Sequence, residues 1–320
     1  MDIRHLRYFI AISEERSLSA ASQRLGVAQP SLSQHVIKLE EELNVELLVR
    51  TSRGILVTEA GALLVRHARQ ICDSMDRCIA DVRQSGSVLR GTVAFGMPPS
   101  VSMVMSVPLA EVVRLELPQV RMQAIEAMSG FIKSWIEDQT VEIGFLYDLE
   151  HKQHFRSIHI LDEQLCFFSA PDAWPLESEP GAPAPLASLQ SLDLILPSPS
   201  HGLRKTIERY AQSNGVELSV VIEMDALTQI KELVARTSGY TILAPAAAYD
   251  FVSRGELVKA PIVAPSMTRP VYLVHNPARP MSAACRAVEK ITIDVARDLV
   301  RRGIWEGALN PNLDQLCCNR

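Results

Sequence analysis

Gln29, Pro30, Ser31, Ser33, Gln34 and Lys38 crowd one short stretch, and Arg50 and Arg53 follow it closely. These residue types share one capacity, which is to hydrogen-bond base edges and phosphates. The Gln34 amide donates and accepts at once, which suits the edge of adenine. Ser33 suits several bases, Lys38 a guanine or a phosphate, and Ile37 the methyl of thymine. Ser31 falls near a helix start, where free backbone N–H groups favour a phosphate.

The elements that must position these groups can be worked out by angle. A helix turns by about 100° per residue, so Leu32, Val36, Leu39 and Leu43 form one apolar stripe that faces a core. Pro30, Ser33, Gln34, Ile37, Lys38 and Glu41 then lie on the opposite side. By angle alone, the solvated face of a three-helix domain fits this pattern as well as a DNA face does. The flanking residues add to it. Ile3, Leu6, Phe9 and Ile10 give a first helix its buried face, and Ser17 caps a second whose stripe is Leu18, Ala21 and Leu25. Gly26 stops that helix, and the small pair Ala20 and Ala21 lets two helices cross closely. Leu47-Leu48-Val49 and Ile55-Leu56-Val57 flank a turn at Thr51–Gly54 as a hairpin. Arg50 and Arg53 project from this wing, where a narrow minor groove attracts arginine.

Residues 1–61 resemble the winged helix-turn-helix of LysR-type transcriptional regulators. The matching elements are Leu6-Arg7-Tyr8-Phe9, Ser17, Ala20-Ala21, Leu25, Gln29-Pro30-Ser31-Leu32-Ser33, Leu39-Glu40, Leu43, Arg50, Arg53-Gly54 and Thr58-Glu59-Ala60-Gly61. Leu48 stands where the family usually has phenylalanine, and Val57 where it has leucine. The resemblance implies that Gln29, Pro30, Ser33 and Gln34 meet base edges and that Arg50 and Arg53 are wing contacts. Within the family, the run from Ala28 to Val36 resembles the nitrogen-assimilation-control branch.

Bulk charge does not announce this head. The 320-residue chain carries a net charge of −5, and residues 1–60 hold seven Lys/Arg against eight acids. Modest non-specific affinity, and reliance on two heads binding together, is the expectation. Hydrophobic content of 47% and charged content of 22% are those of an ordinary globular chain. No apolar run spans a membrane and the start lacks a signal peptide, so a cytoplasmic protein is expected. Cys72, Cys78, Cys166, Cys285, Cys317 and Cys318 have no metal-ligand spacing. Cys72 and Cys78 read as small buried hydrophobes, and Cys317 and Cys318 as part of a frayed tail.

Thr58 is positioned to cap a long helix running to about Ser87. Along it Leu64, Ala68, Ile71, Met75, Cys78 and Val82 recur at four-three spacing, a seam of under three heptads. Packing on its own domain explains the seam, and so does a dimer arm. The helix length favours the arm, and the family resemblance implies dimerisation through it, as a homodimer or homotetramer. Beyond Gly86, apolar runs alternate with helical stretches: 92–96, 120–127, 142–147, 164–169, 193–196, 219–224, 240–244 and 271–275, with helices at 103–117, 130–138, 203–214 and 227–237. That alternation means an α/β fold with largely parallel strands. The proline-rich stretch 171–185 reads as a surface loop.

Ligands of such folds bind at the carboxyl ends of strands, where helix N-termini point. Small polar residues gather there: Ser100 and Ser102, Met128 and Ser129, Ser198, Ser200 and His201, and Asp225 to Thr228. Free N–H groups and hydroxyls suit a carboxylate or a similar anion. Each cluster taken alone also fits simple N-capping.

The family resemblance extends here through Gly91–Gly96, Glu126 with Ser129-Gly130, and Leu233-Val234 with Gly239, Ile242 and Pro245. It implies an effector domain similar to a type 2 periplasmic binding protein, with two α/β lobes joined by two crossover strands. The expected organisation is α+β and multidomain. It has a winged helix-turn-helix at 1–60, a linker helix at 58–88, an effector domain at 91–303 and a C-terminal tail at 304–320. Lobe I takes 91–162 and 269–303, and lobe II 163–268. Gln139 and Thr237 stand where the family has glycine, and Glu142 where it has aspartate, which bears on local turns and not on the fold.

No nucleophile elbow, acidic orienter of His201, phosphate loop or dinucleotide fingerprint is present, so neither catalysis nor a metal or cofactor is expected. The expected function is sequence-specific regulation of transcription at a double-stranded DNA operator, in contact with RNA polymerase. A small-molecule effector, an organic acid or other small anionic metabolite, would control it. A regulator controlled by its abundance alone is the alternative, and a solute-binding protein a remote one.

Overall fold

In the computed structural model, residues 1–51, 54–83, 89–149, 155–278 and 280–313 are described. The chain forms two compact units, Met1–Ser87 and Val88–Arg320.

The first unit contains α1 (Ile3–Glu15), α2 (Leu18–Leu25), α3 (Gln29–Leu43), β1 (Leu48–Thr51), β2 (Gly54–Val57) and α4 (Glu59–Arg83). Local chemistry sets these boundaries. The Asp2 carboxylate accepts the Arg4 and His5 N–H groups, and Ser17 Oγ accepts that of Ala20. Gly26 closes α2 at φ 64°, a left-handed conformation that favours glycine. Phe9, Ile12, Ala21, Leu32, Val36, Leu39, Leu47 and Ile55 make the core. Leu43 does not join it and is 38% exposed, because α3 outruns its support before reversing at Asn44. Glu40 fastens that reversal, its Oε1 accepting from the Leu47 and Leu48 N–H groups at 2.8 and 3.2 Å. Strands β1 and β2 pair antiparallel from Leu48↔Val57 to Thr51↔Gly54.

Thr58 caps α4 as its hydroxyl suggests. Its Oγ1 accepts from the Gly61 N–H at 3.0 Å and donates to the Glu46 carbonyl at 2.8 Å. The 25 residues of α4 span about 38 Å; its expected end near Ser87 lies outside the described residues. The apolar seam of α4 is divided. Ala68 and Cys72 are buried against Leu6 of α1, with Ile3, Ile10 and Leu64 half-buried around them. Ile10 therefore packs against α4 and not in the helix-turn-helix core. Ile71 and Met75 are 47% and 46% exposed, and Cys78 is exposed too, contrary to its expected burial. The Val82 side chain lies outside what is described.

The second unit begins with lobe I: β3 (Gly91–Met97), α5 (Pro99–Glu116), β4 (Val120–Glu126), α6 (Ser129–Glu137), β5 (Ile143–Leu146) and β6 (Arg156–Gln164). Lobe II follows with β7 (Cys166–Ser169), β8 (Ala184–Pro185), β9 (Leu194–Leu196), α7 (Gly202–Ser213), β10 (Val220–Glu223), α8 (Leu227–Ala235), β11 (Thr241–Leu243), α9 (Pro245–Ser253) and β12 (Val258–Val263). The chain then returns to lobe I through β13 (Thr268–His275), α10 (Ala283–Arg301) and β14 (Ala308–Leu309). Lobe I has the sheet order β14-β6-β13-β5-β3-β4 and lobe II β11-β7-β12-β8, with β10 and β9 paired in parallel. Separate apolar cores fill the lobes, one around Phe95, Phe145 and Trp305, the other around Phe167, Phe168 and Ile195.

The two crossover strands are β6 and β13, antiparallel from Thr268↔Gln164 to His275↔Arg156. Lys231 of α8 is almost wholly buried, holds Asp250 of α9 at 2.9 Å and reaches Met103 Sδ of α5 at 3.5 Å, so it also ties the lobes together. Residues 304–313 are not a loose tail. Trp305 and Leu313 are buried, and β14 pairs with β6. Cys317 and Cys318 lie outside the described residues. Gln139 and Thr237 adopt φ 64° and 62°, so the chain keeps left-handed turns there without glycine.

Candidate DNA-reading surface and effector cleft

On α3, Gln29, Pro30, Gln34 and Lys38 are exposed and Ser31 and Ser33 half-buried, all away from the Leu32–Val36–Leu39 stripe. Ile37 is exposed on the same side. Ala28 offers no side-chain cap and Pro30 occupies the first turn, so the positive end of the helix dipole stays open to an anion. Beneath this face His35 packs against His5 and Tyr8 in tilted contacts, with ring centroids 4.5 and 5.2 Å away. Burial, then the neighbouring His5 and Lys38, hold the His35 imidazole below its ordinary value. Arg50 lies on β1, with nothing described of its side chain, and Arg53 lies outside the described residues. Sequence reasoning missed two supports of this face: the Glu40 clasp and the His5–Tyr8–His35 ring cluster.

The second set of candidate residues lies at strand ends of the two lobes. Strands β3, β4 and β5 run parallel, so the starts of α5 and α6 share one edge of lobe I. The Ala127 N–H donates to the Met97 carbonyl at 3.2 Å and holds the two turns together. Ser100 is buried and already engaged. Its Oγ lies 2.9 Å from Arg269 Nη2 and 2.5 Å from the Tyr147 hydroxyl. The Arg269 guanidinium stacks over the Tyr147 ring at 3.7 Å. Its Nε donates to Glu163 Oε2 at 2.8 Å, while Trp305 Nε1 donates to Glu163 Oε1 at 2.7 Å. Burial drives the Tyr147 phenol up to about 12. Ser102, Met128 and Ser129 are half-buried along the same edge.

Lobe II contributes the ends of β9 and β10. The Ser198 N–H and Oγ hold the two Asp225 carboxylate oxygens at 2.9 and 3.1 Å, and Ser200 Oγ lies 3.0 Å from Ser198 Oγ. Those two bonds hold the Asp225 carboxyl below the usual carboxylate range. His201 Nδ1 accepts the Leu203 N–H at 3.1 Å, which leaves its ring proton on Nε2. Burial lowers the His201 imidazole, with Asp225 opposing and Arg269 adding to the shift. Thr228 is exposed at the start of α8. The structure thus gathers Ser100, Ser102, Met128 and Ser129 at one edge and Ser198, Ser200, His201 and Thr228 at the other. The Ser198 hydroxyl faces Asp225 and Ser200, not His201, so no serine–histidine relay is formed. The charged cluster of Arg269, Glu163 and Tyr147 was missed; a charge inside an otherwise apolar strand was its one sequence signal.

A LysR substrate binding domain model matches residues 86–297, and a model described as a bacterial regulatory helix-turn-helix protein of the lysR family matches residues 3–62. The chain belongs to the LysR family. Among LysR proteins it is 28% identical to the nitrogen assimilation regulatory protein nac of Klebsiella aerogenes, over 92% of this chain and 95% of that one. It is 27% identical to the transcriptional dual regulator OxyR of Escherichia coli K12, over 88% and 91%. Full-length LysR structures share the fold. An OxyR variant from Pseudomonas aeruginosa matches with a TM-score of 0.70 at 21% identity, over 93% and 95% of the two chains. CbnR complexed with its target DNA matches at 0.64 and 20%, over 93% and 99%. The expected LysR architecture, with winged head, linker helix and two-lobed domain, is the one found.

Proposed function

We propose that this LysR protein places α3 of two heads into the grooves of an inverted-repeat operator and that occupancy of the cleft controls the outcome. The exposed Gln29–Pro30–Gln34–Lys38 face, carried on a helix with an open N-terminus, is the observation that bears most weight. Gln29, Pro30, Ser33 and Gln34 read base edges, Ser31 and Lys38 take phosphates, and Arg50 and Arg53 enter the flanking minor groove. The exposed Ile71, Met75 and Ile79 lie at four-residue spacing on α4 and pair two copies as a dimer, or as half of a tetramer. The protein works in the cytoplasm beside RNA polymerase and catalyses nothing. Among the described residues no helix is long and apolar enough to cross a membrane. Relatives named hydrogen peroxide-inducible genes activators suggest a peroxide-sensing role; Cys166 does not suit it, because it is buried and driven up to about 12 by that burial. Footprinting on the chain's own promoter region tests the reading; protection must span two half-sites about one helical turn apart or a multiple of it.

A further inference from the structure

Helices α1, α2 and α3 each end in a left-handed residue, and one of those residues is of an unexpected type. Gly26 closes α2 at φ 64° and Asn44 closes α3 at φ 53°, and both types adopt this conformation readily. Helix α1 is closed by Arg16, at φ 52° and ψ 22°. A β-carbon in the left-handed region costs stability that glycine does not lose. The bonds that hold this turn all come from the backbone. The Arg16 N–H donates to the Ile12 carbonyl at 3.0 Å, and the Arg16 carbonyl accepts from the Ile55 N–H at 3.0 Å. Glycine would make the same bonds, so the fold alone does not call for arginine here.

The side chain is unspent. Among the arginines and lysines of residues 1–47, Arg4 meets Asp2, Arg7 meets Asp76, and Arg24 meets Glu14 and Glu15. Arg16 and Lys38 are exposed and meet no carboxylate among the described residues. Arg16 also sits against the tip end of the wing. Thr51 and Gly54 are the last pair before the turn, and a β-carbon at Gly54 would stand 2.9 Å from the Arg16 carbonyl oxygen. Ile55, which donates to Arg16, is the register partner of Arg50. Arg50, Ile55 and Arg16 therefore follow one another across the hairpin, which sets the Arg50 and Arg16 backbones about 10 Å apart.

We infer that Arg16 is a further DNA contact, a guanidinium that holds a backbone phosphate flanking the wing. This rests on the wing meeting DNA. A phosphate carries no sequence information, so Arg16 adds affinity and register but no base preference.

Arg16→Gly separates the contact from the fold, because it removes the cation and relieves the backbone at once. The full-length protein is titrated, across a salt series, with a duplex it selects from random DNA and with a scrambled duplex of equal length. Arg16→Gly should melt at or above the wild-type midpoint. It should nonetheless bind both duplexes about tenfold more weakly per head at low salt. The slope of log affinity against log salt should shrink by about one per bound head, and Arg16→Lys should keep the wild-type slope. Wild-type affinity and slope in Arg16→Gly overturn the inference. Arg53→Ala, measured beside it, tells two failures apart. If Arg53→Ala weakens binding, only the role of Arg16 is lost; if it too changes nothing, the wing reading falls as well.

Discussion

Arg269 and Glu163 face each other as register partners on the two crossover strands, 106 residues apart in sequence, with Nε 2.8 Å from Oε2. Both are buried, and the pair reaches Ser100 on one side and Trp305 on the other. The strands that join the lobes thus share one charge cluster with the first turn of α5 and the C-terminal segment.

Removing one partner leaves an uncompensated buried charge, at a cost of about 3–5 kcal/mol. Glu163→Ala and Arg269→Ala should each lower the urea midpoint of the second unit strongly. The double variant Arg269→Met, Glu163→Leu should cost less than either single change, because two apolar groups leave no orphan charge.

The divided seam of α4 separates assembly from folding. Ile71→Glu with Met75→Glu should yield monomers by light scattering while the head melts as before, since both side chains are exposed. Ala68→Glu should unfold the head itself, because Ala68 has no exposed surface and packs on Leu6. A dimer that survives the double change at 71 and 75 rejects the arm.

Thr237 is β-branched and held at φ 62°. A side chain in the left-handed region costs roughly 1–2 kcal/mol, so Thr237→Gly should stabilise by about 1 kcal/mol after its own entropy loss. Gln139→Gly should act in the same direction, since it also removes a buried Oε1 with no partner among the described residues. Chemical denaturation at neutral pH measures both.

Acid should weaken the head through His35. Its folded-state value lies below the ordinary 6.5, so the unfolded chain takes up the proton first as pH falls. The contribution is complete above about pH 6.5 and is lost as pH drops through the folded value. Melting of the head between pH 7.5 and 5 should show this, and His35→Phe should flatten that part of the profile.

The head was legible in the sequence because its signals are local: Ser17 and Gly26 bound one helix, and Leu32, Val36 and Leu39 set the face of the next. Leu43 misled because periodicity cannot show where a helix outruns its support. The four-three pattern on α4 was real, but spacing does not say that Ala68 serves the chain's own head while Ile71 faces outward. Helix α9 gave no amphipathic contrast, as Pro245, Ala246, Ala247, Ala248 and Phe251 are all buried. Strand β6 was not among the expected strands, because His159, Asp162 and Glu163 interrupt its apolar pattern and its pairing with β13 exists only in the fold. The polar residues at strand ends were visible in the sequence, whereas Arg269 and Glu163 meet only in the fold.

Selection of bound sequences from random duplex DNA by the full-length protein tests the central claim most directly. The enriched motif should be two-fold symmetric, and Gln34→Ala should relax preference at particular positions of each half-site while Lys38→Ala weakens binding evenly. Enrichment of no motif, or a motif that Gln34→Ala leaves unchanged, would contradict the reading of α3 as the helix that reads DNA.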